Sequence, residues 1–167
     1  GFANIYKESG FLPEWISPGH RDCMVGNNSA SVVADAYLKG LRGYDIETLW
    51  KAVLHGANSV HPTCKSTGRL GYDLYNKLGY VPYDKGINES GARTLEYAYD
   101  DWCIYKLGKA LNRPDKELAP YKKHAMNYKN LFDKSILLMR GRMSDGTFIA
   151  PFNPLKWGDA FTEGNSW

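Results

Sequence analysis

The stretch SGARTLEYAYDDWCIYKLGKAL, residues Ser90 to Leu111, decides the fold that this sequence predicts. Its apolar residues surround the whole helical circumference instead of forming one stripe, a pattern typical of a helix enclosed by other helices. The helix is expected to end at Asn112-Arg113-Pro114, because proline cannot continue it. The stretch therefore predicts an inner helix of an all-α protein.

A second inner helix is predicted earlier in the chain. Asn27 or Asn28 can begin it, since an asparagine side chain accepts hydrogen bonds from free backbone N–H groups. The run from Ser31 to Lys39 is apolar nearly all round, and Gly40 is a natural residue to follow its last turn. The two predicted inner helices thus share one pattern.

Each inner helix is followed by a helix with a single apolar stripe. Asp45 is the expected N-cap of the first, whose apolar residues recur three and four positions apart. Asp115 is expected to cap the second, which the same spacing extends to about Met139. Because each has one apolar and one polar face, these are predicted to be the outer helices of two α-hairpins.

The segments between these helices carry turn and loop residues. Residues 1–26 lack a clean periodicity and are predicted to form an ordered loop. Residues 61–89 are predicted to form a long loop that holds a short helix from about Tyr72 to Leu78. The dipeptide Asp145-Gly146 predicts a short β-hairpin or turn near residues 143–152.

The order of loop, inner helix and outer helix occurs twice and begins a third time near the end of the chain. The predicted fold class is therefore all-α, an array of α-hairpins. The loops before the inner helices are rich in aromatic and charged residues. In a ring of hairpins these loops lie at one end, where inner-helix N-termini direct partial positive charge towards a ligand.

The composition argues against several classes of protein. The net charge of +3 is small and the charged residues are interleaved, so no nucleic-acid footprint or polybasic membrane patch is expected. The cysteines Cys23, Cys64 and Cys103 have no zinc-ligand spacing. No apolar run in the sequence reaches the length of a membrane span. The aromatic content of 14% fits either a sugar site or a tyrosine-rich core.

The segment GHRDCM places three polar side chains, His20, Arg21 and Asp22, near Trp15 in the sequence. Hydroxyl-rich sugars need donors and acceptors beside an aromatic platform, and this cluster offers both. The alternative is a loop held by its own Arg21–Asp22 ion pair. Both interpretations stay open at this point.

Three segments resemble glycoside hydrolase family 92. They are GFLPEW to YLKG over residues 10–40, RTLEYAYDDWCI over 93–104, and APFNPLKWGDAFTEGNSW over 150–167. Members of that family are calcium-dependent, exo-acting α-mannosidases that invert the anomeric configuration. The resemblance implies that the hairpins form about half of an (α/α)6 toroid. Residues 1–167 would then be a fragment of the catalytic domain, with an N-terminal β-sandwich and the C-terminal half of the toroid absent.

The resemblance assigns the general acid to Glu163, because TEGNSW matches the family motif position by position. Aromatic walls from Trp157 and Phe161 are expected to disfavour its charged form. The alternative is an ordinary glutamate in the first turn of a helix capped by Thr162, where the helix dipole acts in the opposite direction. The expected substrate-binding residues are Trp15, His20, Arg21, Asp22, Trp157 and Asn165.

An inverting hydrolase also needs a second carboxylate to activate water. In the family this base and most calcium ligands lie downstream of TEGN, so we expect the isolated chain to be inactive. The resemblance also implies release of terminal, α-1,2-linked mannose from oligosaccharides such as N-glycans, and a periplasmic or secreted location. Two alternatives are another (α/α)6 glycosidase or lyase, and a non-catalytic carbohydrate-binding or structural module.

Three acids of the predicted inner helix, Glu96, Asp100 and Asp101, offer a substitute site or a salt-bridge ladder with Arg93. The ladder is favoured by the spacing, since residues three and four apart are neighbours on a helix. Adjacent acids point in different directions, which makes a shared ligand role weak for Asp100 and Asp101.

Overall fold

The computed structural model describes residues 1–15 and 19–165, and most of this part is helical. The α-helices are α1 Phe2–Ser9, α2 Ser29–Leu38, α3 Ile46–Ala57, α4 Tyr72–Leu78, α5 Ser90–Ala110 and α6 Asp115–His124. Short 3₁₀ helices cover Tyr83–Lys85 and Asn127–Leu131, and two strands, β1 Phe132–Asp133 and β2 Leu138–Met139, pair antiparallel. No helix in the described ranges is both long and apolar enough to cross a membrane.

Helix α5 lies at the centre of the fold, as its sequence predicts. It packs against α2, α3 and α6. The main core draws on all four helices and on one residue before them: Leu12, Ala30, Val33, Ala34, Leu49, Trp50, Ala52, Val53, Ala57, Cys103, Ile104, Leu107 and Leu118. The hairpins α2–α3 and α5–α6 therefore share one core, and the prediction of an α-hairpin array is confirmed.

The outer helix α3 begins where the sequence indicates. Asp45 caps it, with the Thr48 amide donating to the carboxylate over 3.0 Å. Leu49, Trp50 and Val53 turn inwards. The Trp50 indole N–H donates to Glu117 over 3.1 Å and ties α3 to α6.

The inner helix α2 is buried on one side. Val33 and Ala34 lie in the core, whereas Val32 is 54% exposed and Leu38 is 48% exposed. The described residues therefore cover one side of α2 and leave apolar side chains on its other side exposed.

The prediction of a loop over residues 1–26 is wrong at its beginning. Residues 2–9 form α1, which packs against α3 through side chains such as Phe2 and Tyr6. An eight-residue helix is marginal alone and draws its stability from such packing. Gly10 ends it in a left-handed conformation, with φ of 80°.

The prediction that α6 runs to about Met139 is also wrong. The helix begins at Asp115 but ends at His124, and the chain continues as a 3₁₀ turn and a two-stranded hairpin. In that hairpin Asp133 accepts hydrogen bonds from the Ser135 amide and from Arg140, each at 2.9 Å. Such local side-chain bonds to the backbone compete with helix formation.

The turn predicted at Asp145-Gly146 is present. The Met143 amide donates to the Thr147 carbonyl over 2.7 Å, and an antiparallel bridge joins Arg142 and Phe148. The two-stranded sheet itself lies a few residues earlier, between residues 132 and 139.

Candidate active site

The segment that carries Glu163 folds back on itself as a short loop. The Gly158 amide donates to the Glu163 carbonyl over 2.9 Å, and Trp157 and Gly164 form an antiparallel bridge. The Glu163 residue is exposed, so the loop presents its carboxylate to solvent. The last two residues of the motif, Ser166 and Trp167, lie outside the described residues.

This loop is fixed to the beginning of the inner helix α5. The Ala160 carbonyl accepts from the Gly91 amide at 2.7 Å and from the Ala92 amide at 3.0 Å, which satisfies two free N–H groups of the first helical turn. The Phe161 ring is buried beside Gly91, where an added Cβ would lie 2.8 Å from the ring. A backbone carbonyl thus caps α5, and the glycine allows the aromatic ring to approach.

Two aromatic residues beside Glu163 differ in their environment. Trp157 is 76% exposed, whereas Phe161 belongs to a second core cluster with Tyr80, Leu131 and Ile149. The buried Phe161 ring therefore anchors the loop, and the exposed Trp157 ring faces solvent.

Asn165 is a second buried anchor of the loop. Only 1% of the surface of Asn165 is exposed. Its side-chain amide donates to the Asn153 carbonyl over 3.1 Å. Its side-chain oxygen has no partner among the described residues. The predicted helix capped by Thr162 is not observed, because residues 161–165 form bends and a bridge. The alternative interpretation of Glu163 as a first-turn helical residue stays a prediction, because the residues that would continue such a helix lie outside the described part of the chain.

The second predicted group lies in the loop before α2. Trp15 is 46% exposed and lines a cleft of about 420 Å³ together with Glu14, Asn28 and Val32. Residues 16–18 lie outside the described part of the chain. The cleft places the exposed indole beside the beginning of α2, and His20, Arg21 and Asp22 are not among the residues that line it, so the predicted sugar platform stays a prediction.

Asp22 and Arg21 do not pair with each other in the described structure. The Asp22 carboxylate accepts from the Ser66 amide over 2.7 Å, and its own amide donates to the Cys64 sulfur over 3.1 Å. Arg21 is exposed. The alternative of a loop held by an Arg21–Asp22 ion pair is therefore wrong, because Asp22 is bound to the segment around Cys64 and Ser66.

Glu14 holds this loop, and the sequence prediction missed it. Its carboxylate accepts from the Arg21 amide at 2.7 Å, from Thr67 Oγ1 at 2.7 Å, and pairs with His20 Nδ1 at 2.9 Å. Its side chain is 3% exposed. Burial by itself raises the pKa of Glu14, but the bonds from Thr67, Arg21 and His20 outweigh it and hold the pKa at about 2.

His20 is enclosed between the loop and helix α1. Its second ring nitrogen lies 3.1 Å from Ser9 Oγ, and its ring centroid is 5.2 Å from that of His61. Of the predicted sugar-binding residues in this segment, Trp15, Arg21 and Asp22 are exposed and His20 is partly covered.

The acids of α5 point in two directions, as expected for neighbours on a helix. Asp100 accepts from the Asn27 amide over 3.0 Å, on the side of α2. Asp101 faces the other way and binds Arg69 at 2.7 Å and the Tyr75 hydroxyl at 3.0 Å. Both carboxylates are fully buried.

Burial raises the pKa of Asp100 to about 7 and also raises that of Glu96. The favoured interpretation of a ladder with Arg93 is wrong. Arg93 donates instead to the backbone and side-chain oxygens of Asn88, each over 2.9 Å.

A calcium ion requires six to eight oxygen ligands. Within residues 1–15 and 19–165 no group of three or more acidic, histidine or cysteine side chains is placed to hold a metal ion.

The chain is similar to known proteins over its whole length. The family model "Glycosyl hydrolase family 92 catalytic domain" matches residues 1–167. A family GH92 inverting mannosidase of Bacteroides thetaiotaomicron aligns with 99% of the chain at 44% identity and a TM-score of 0.94. A family GH92 α-mannosidase of the same bacterium, solved with mannoimidazole, aligns with 98% at 32% identity and a TM-score of 0.85. A protein of Arthroderma benhamiae described as a secreted glycosidase is 35% identical over 138 residues, 77% of this chain.

The chain spans about a fifth of the length of these relatives. It covers 22% of each of the two solved mannosidases and 18% of the Arthroderma protein. The mostly helical chain superposes on a solved family GH92 enzyme with a TM-score of 0.94, and the predicted fold class is confirmed by this likeness.

Proposed function

The chain belongs to glycosyl hydrolase family 92, and from this premise we propose that it is part of the catalytic domain of an inverting, exo-acting α-mannosidase. The observation that carries the proposal is the 44% identity with a solved inverting mannosidase over 99% of the chain. The proposed substrates are terminal α-mannosides, α-1,2-linked, on oligosaccharides such as N-glycans. A mannoimidazole complex of one solved relative supports a mannose-like ligand.

The proposed general acid is Glu163. Inversion requires a carboxylic acid that protonates the leaving oxygen while a base activates water on the opposite face of the sugar. The loop of Glu163 suits the first role, because Phe161 and Asn165 anchor it in the protein and leave the carboxylate exposed. A loop anchored in this way holds the carboxyl group of Glu163 in a position from which it can reach a sugar oxygen.

The cleft beside Trp15 is the proposed sugar-binding surface of this chain. We propose that a sugar ring stacks on the exposed indole face, and that the exposed side chains of Arg21 and Asp22, which lie outside the lining of the cleft, offer a donor and an acceptor to its hydroxyl groups. The exposed Trp157 completes the proposed sugar contacts from the loop of Glu163, whereas the buried Asn165 holds that loop from within.

The base and the calcium ligands are proposed to lie outside residues 1–167. The remaining catalytic domain and a β-sandwich are accordingly the proposed partners within one polypeptide, and the isolated chain is proposed to be inactive. Export from the cell is supported by the secreted glycosidase of Arthroderma benhamiae.

The test is the variant Glu163→Gln in the full polypeptide that contains this chain. With mannobiose as substrate, we expect kcat to fall by about 10²–10⁴, the typical contribution of general acid catalysis. With an aryl mannoside whose phenolate leaves without protonation, the loss is expected to be far smaller. Proton NMR of the first product is expected to show β-mannose.

A matched control is Glu47→Gln, which changes an exposed glutamate on the outer helix α3. It is expected to retain wild-type kinetics with both substrates. An equal loss of activity on both substrates for Glu163→Gln would contradict the role as acid. A wild-type polypeptide inactive on mannosides in the presence of calcium would contradict the proposed function itself.

A further inference from the structure

The carboxylate of Glu14 joins two loops that are far apart in the sequence. Oε1 accepts from the Arg21 amide at 2.7 Å, and Oε2 accepts from Thr67 Oγ1 at 2.7 Å and lies 2.9 Å from His20 Nδ1. The Cys64 sulfur is 3.8 Å from Oε1. One nearly buried side chain thus connects residues 20 and 21 with the loop of residues 64–67.

The bonds of Glu14 suit a carboxylate in particular. An ionised carboxylate accepts hydrogen bonds at both oxygens, and the backbone N–H of Arg21 can only donate. Bonds to a charged acceptor are about twice as strong as those between neutral groups. The loop conformation of residues 20–22 therefore depends on the acceptor oxygens of this side chain.

The neighbours of Glu14 are the residues of the proposed sugar surface. Trp15 follows it directly and both line the same cleft. Asp22 has a positive φ of 52°, a conformation that few non-glycine residues adopt, and one oxygen of its carboxylate is held by the Ser66 amide. Such a backbone persists where the surrounding contacts determine it.

We propose that Glu14 is a positioning residue of the candidate active site, which holds His20, Arg21 and Asp22 in the conformation that binds a sugar. The inference rests on the proposed function for the identity of the ligand. Glu14 itself is nearly buried, so it acts through the loop and leaves the sugar contacts to its neighbours.

The experiment compares Glu14→Ala and Glu14→Gln in the full polypeptide, with Glu47→Ala as the control. Alanine removes every acceptor, so we expect KM for a mannoside to rise about tenfold with kcat nearly unchanged, the signature of lost uniform binding. Glutamine keeps one carbonyl for the Arg21 amide, and the Thr67 hydroxyl can turn to accept from the new amide. Glu14→Gln is therefore expected to restore most of the affinity.

Hydrogen exchange of the Arg21 amide supplies a readout that does not depend on activity. Protection of this amide is expected in the wild type and in Glu14→Gln, and its loss in Glu14→Ala. A decrease in the folded fraction alone would lower the apparent kcat and leave KM unchanged, which separates positioning from general destabilisation.

Two results would overturn the inference. One is a wild-type KM for Glu14→Ala in an active enzyme, and the other is an Arg21 amide that is as well protected in Glu14→Ala as in the wild type. If the wild-type polypeptide proves inactive on mannosides, the proposed function fails, and the exchange of the Arg21 amide still decides whether Glu14 fixes the loop.

Discussion

The guanidinium of Arg69 lies 2.7 Å from the carboxylate of Asp101, and the two side chains are only 1% and 0% exposed. The Tyr75 hydroxyl donates to the other carboxylate oxygen over 3.0 Å. A charge pair removed from water persists when each member keeps its partner, because an isolated buried charge is strongly disfavoured. This pair connects the inner helix α5 with the segment that leads into α4.

Removing one member of the pair is expected to destabilise the chain. Asp101→Ala leaves the buried Arg69 guanidinium without its counter-ion, so the free energy of unfolding should fall by about 3–5 kcal/mol. Urea unfolding followed by circular dichroism measures this. The control is Asp35→Ala, which breaks an exposed pair with Lys39 and should cost less than about 1 kcal/mol. Equal losses of unfolding free energy in the two variants would show that the buried pair stabilises the chain no more than the exposed pair does.

The buried carboxylate of Asp100 predicts a pH dependence of stability. Burial raises its pKa from the ordinary 3.8 to about 7, so between these values the folded state holds a proton that the unfolded state releases. Stability falls with pH wherever the folded state binds more protons. The stabilising contribution of Asp100 is therefore fully present below about pH 4, declines between pH 4 and pH 7, and does not change further at higher pH.

The variant Asp100→Asn isolates that contribution, since an amide does not titrate. We expect the free energy of unfolding of the wild type, relative to Asp100→Asn, to decline from pH 4 to pH 7. Urea unfolding of both proteins over this range is the measurement. Glu96, whose pKa burial also raises, stays in both proteins, as do Arg69 and the amide of Asn27. Parallel pH profiles would contradict the prediction.

Helices with long patterns or clear caps were predictable from the sequence. Helix α4 has the predicted bounds Tyr72–Leu78, and Asp45 caps α3 as expected. The inner position of α5 follows from its apolar circumference, because apolar residues on every face of a helix favour neighbours on more than one side. These features depend on local sequence, which is the information that a pattern contains.

The features that were missed depend on distant contacts. Helix α1 is too short to be recognised without the packing that stabilises it. The cap of α5 is the carbonyl of Ala160, a group that every residue has, so no sequence signal marks it. Glu14 meets Thr67 across 53 residues, and only the folded chain brings them together.

The close contact at Gly91 links helix α5 to the loop of Glu163. An added Cβ would lie 2.8 Å from the Phe161 ring and 2.9 Å from the Ala160 carbonyl oxygen. Gly91→Ala is therefore expected to reduce the free energy of unfolding by about 1–3 kcal/mol, the usual cost of overpacking, in spite of the better helix propensity of alanine.

In the full polypeptide Gly91→Ala should also lower kcat, because the displaced loop carries the proposed acid. The control is Lys116→Ala, at an exposed position of the outer helix α6, which should change neither quantity appreciably. Thermal unfolding and steady-state kinetics measure the two effects. Wild-type stability in Gly91→Ala would mean that the Phe161 ring moves aside without cost.

The inner helices expose an apolar face that predicts self-association of the isolated chain. Tyr99 is 53% exposed and Trp102 is 47% exposed on α5, with their rings stacked 6.3 Å apart, and Val32 is 54% exposed on α2. Large exposed apolar patches mark contact surfaces. In the proposed toroid other helices cover this face, so in the isolated 167-residue chain a second copy is expected to do so.

Sedimentation velocity over a range of concentrations tests this expectation. The wild-type chain should form dimers or larger species, and Trp102→Glu should shift the distribution to monomer, because burying an unpaired carboxylate at the contact is unfavourable. The control is Tyr128→Glu, which changes an exposed aromatic residue beyond the outer helix α6 and should leave the association unchanged. A wild-type chain that stays monomeric throughout would contradict the prediction, and equal dissociation by both variants would place the contact elsewhere.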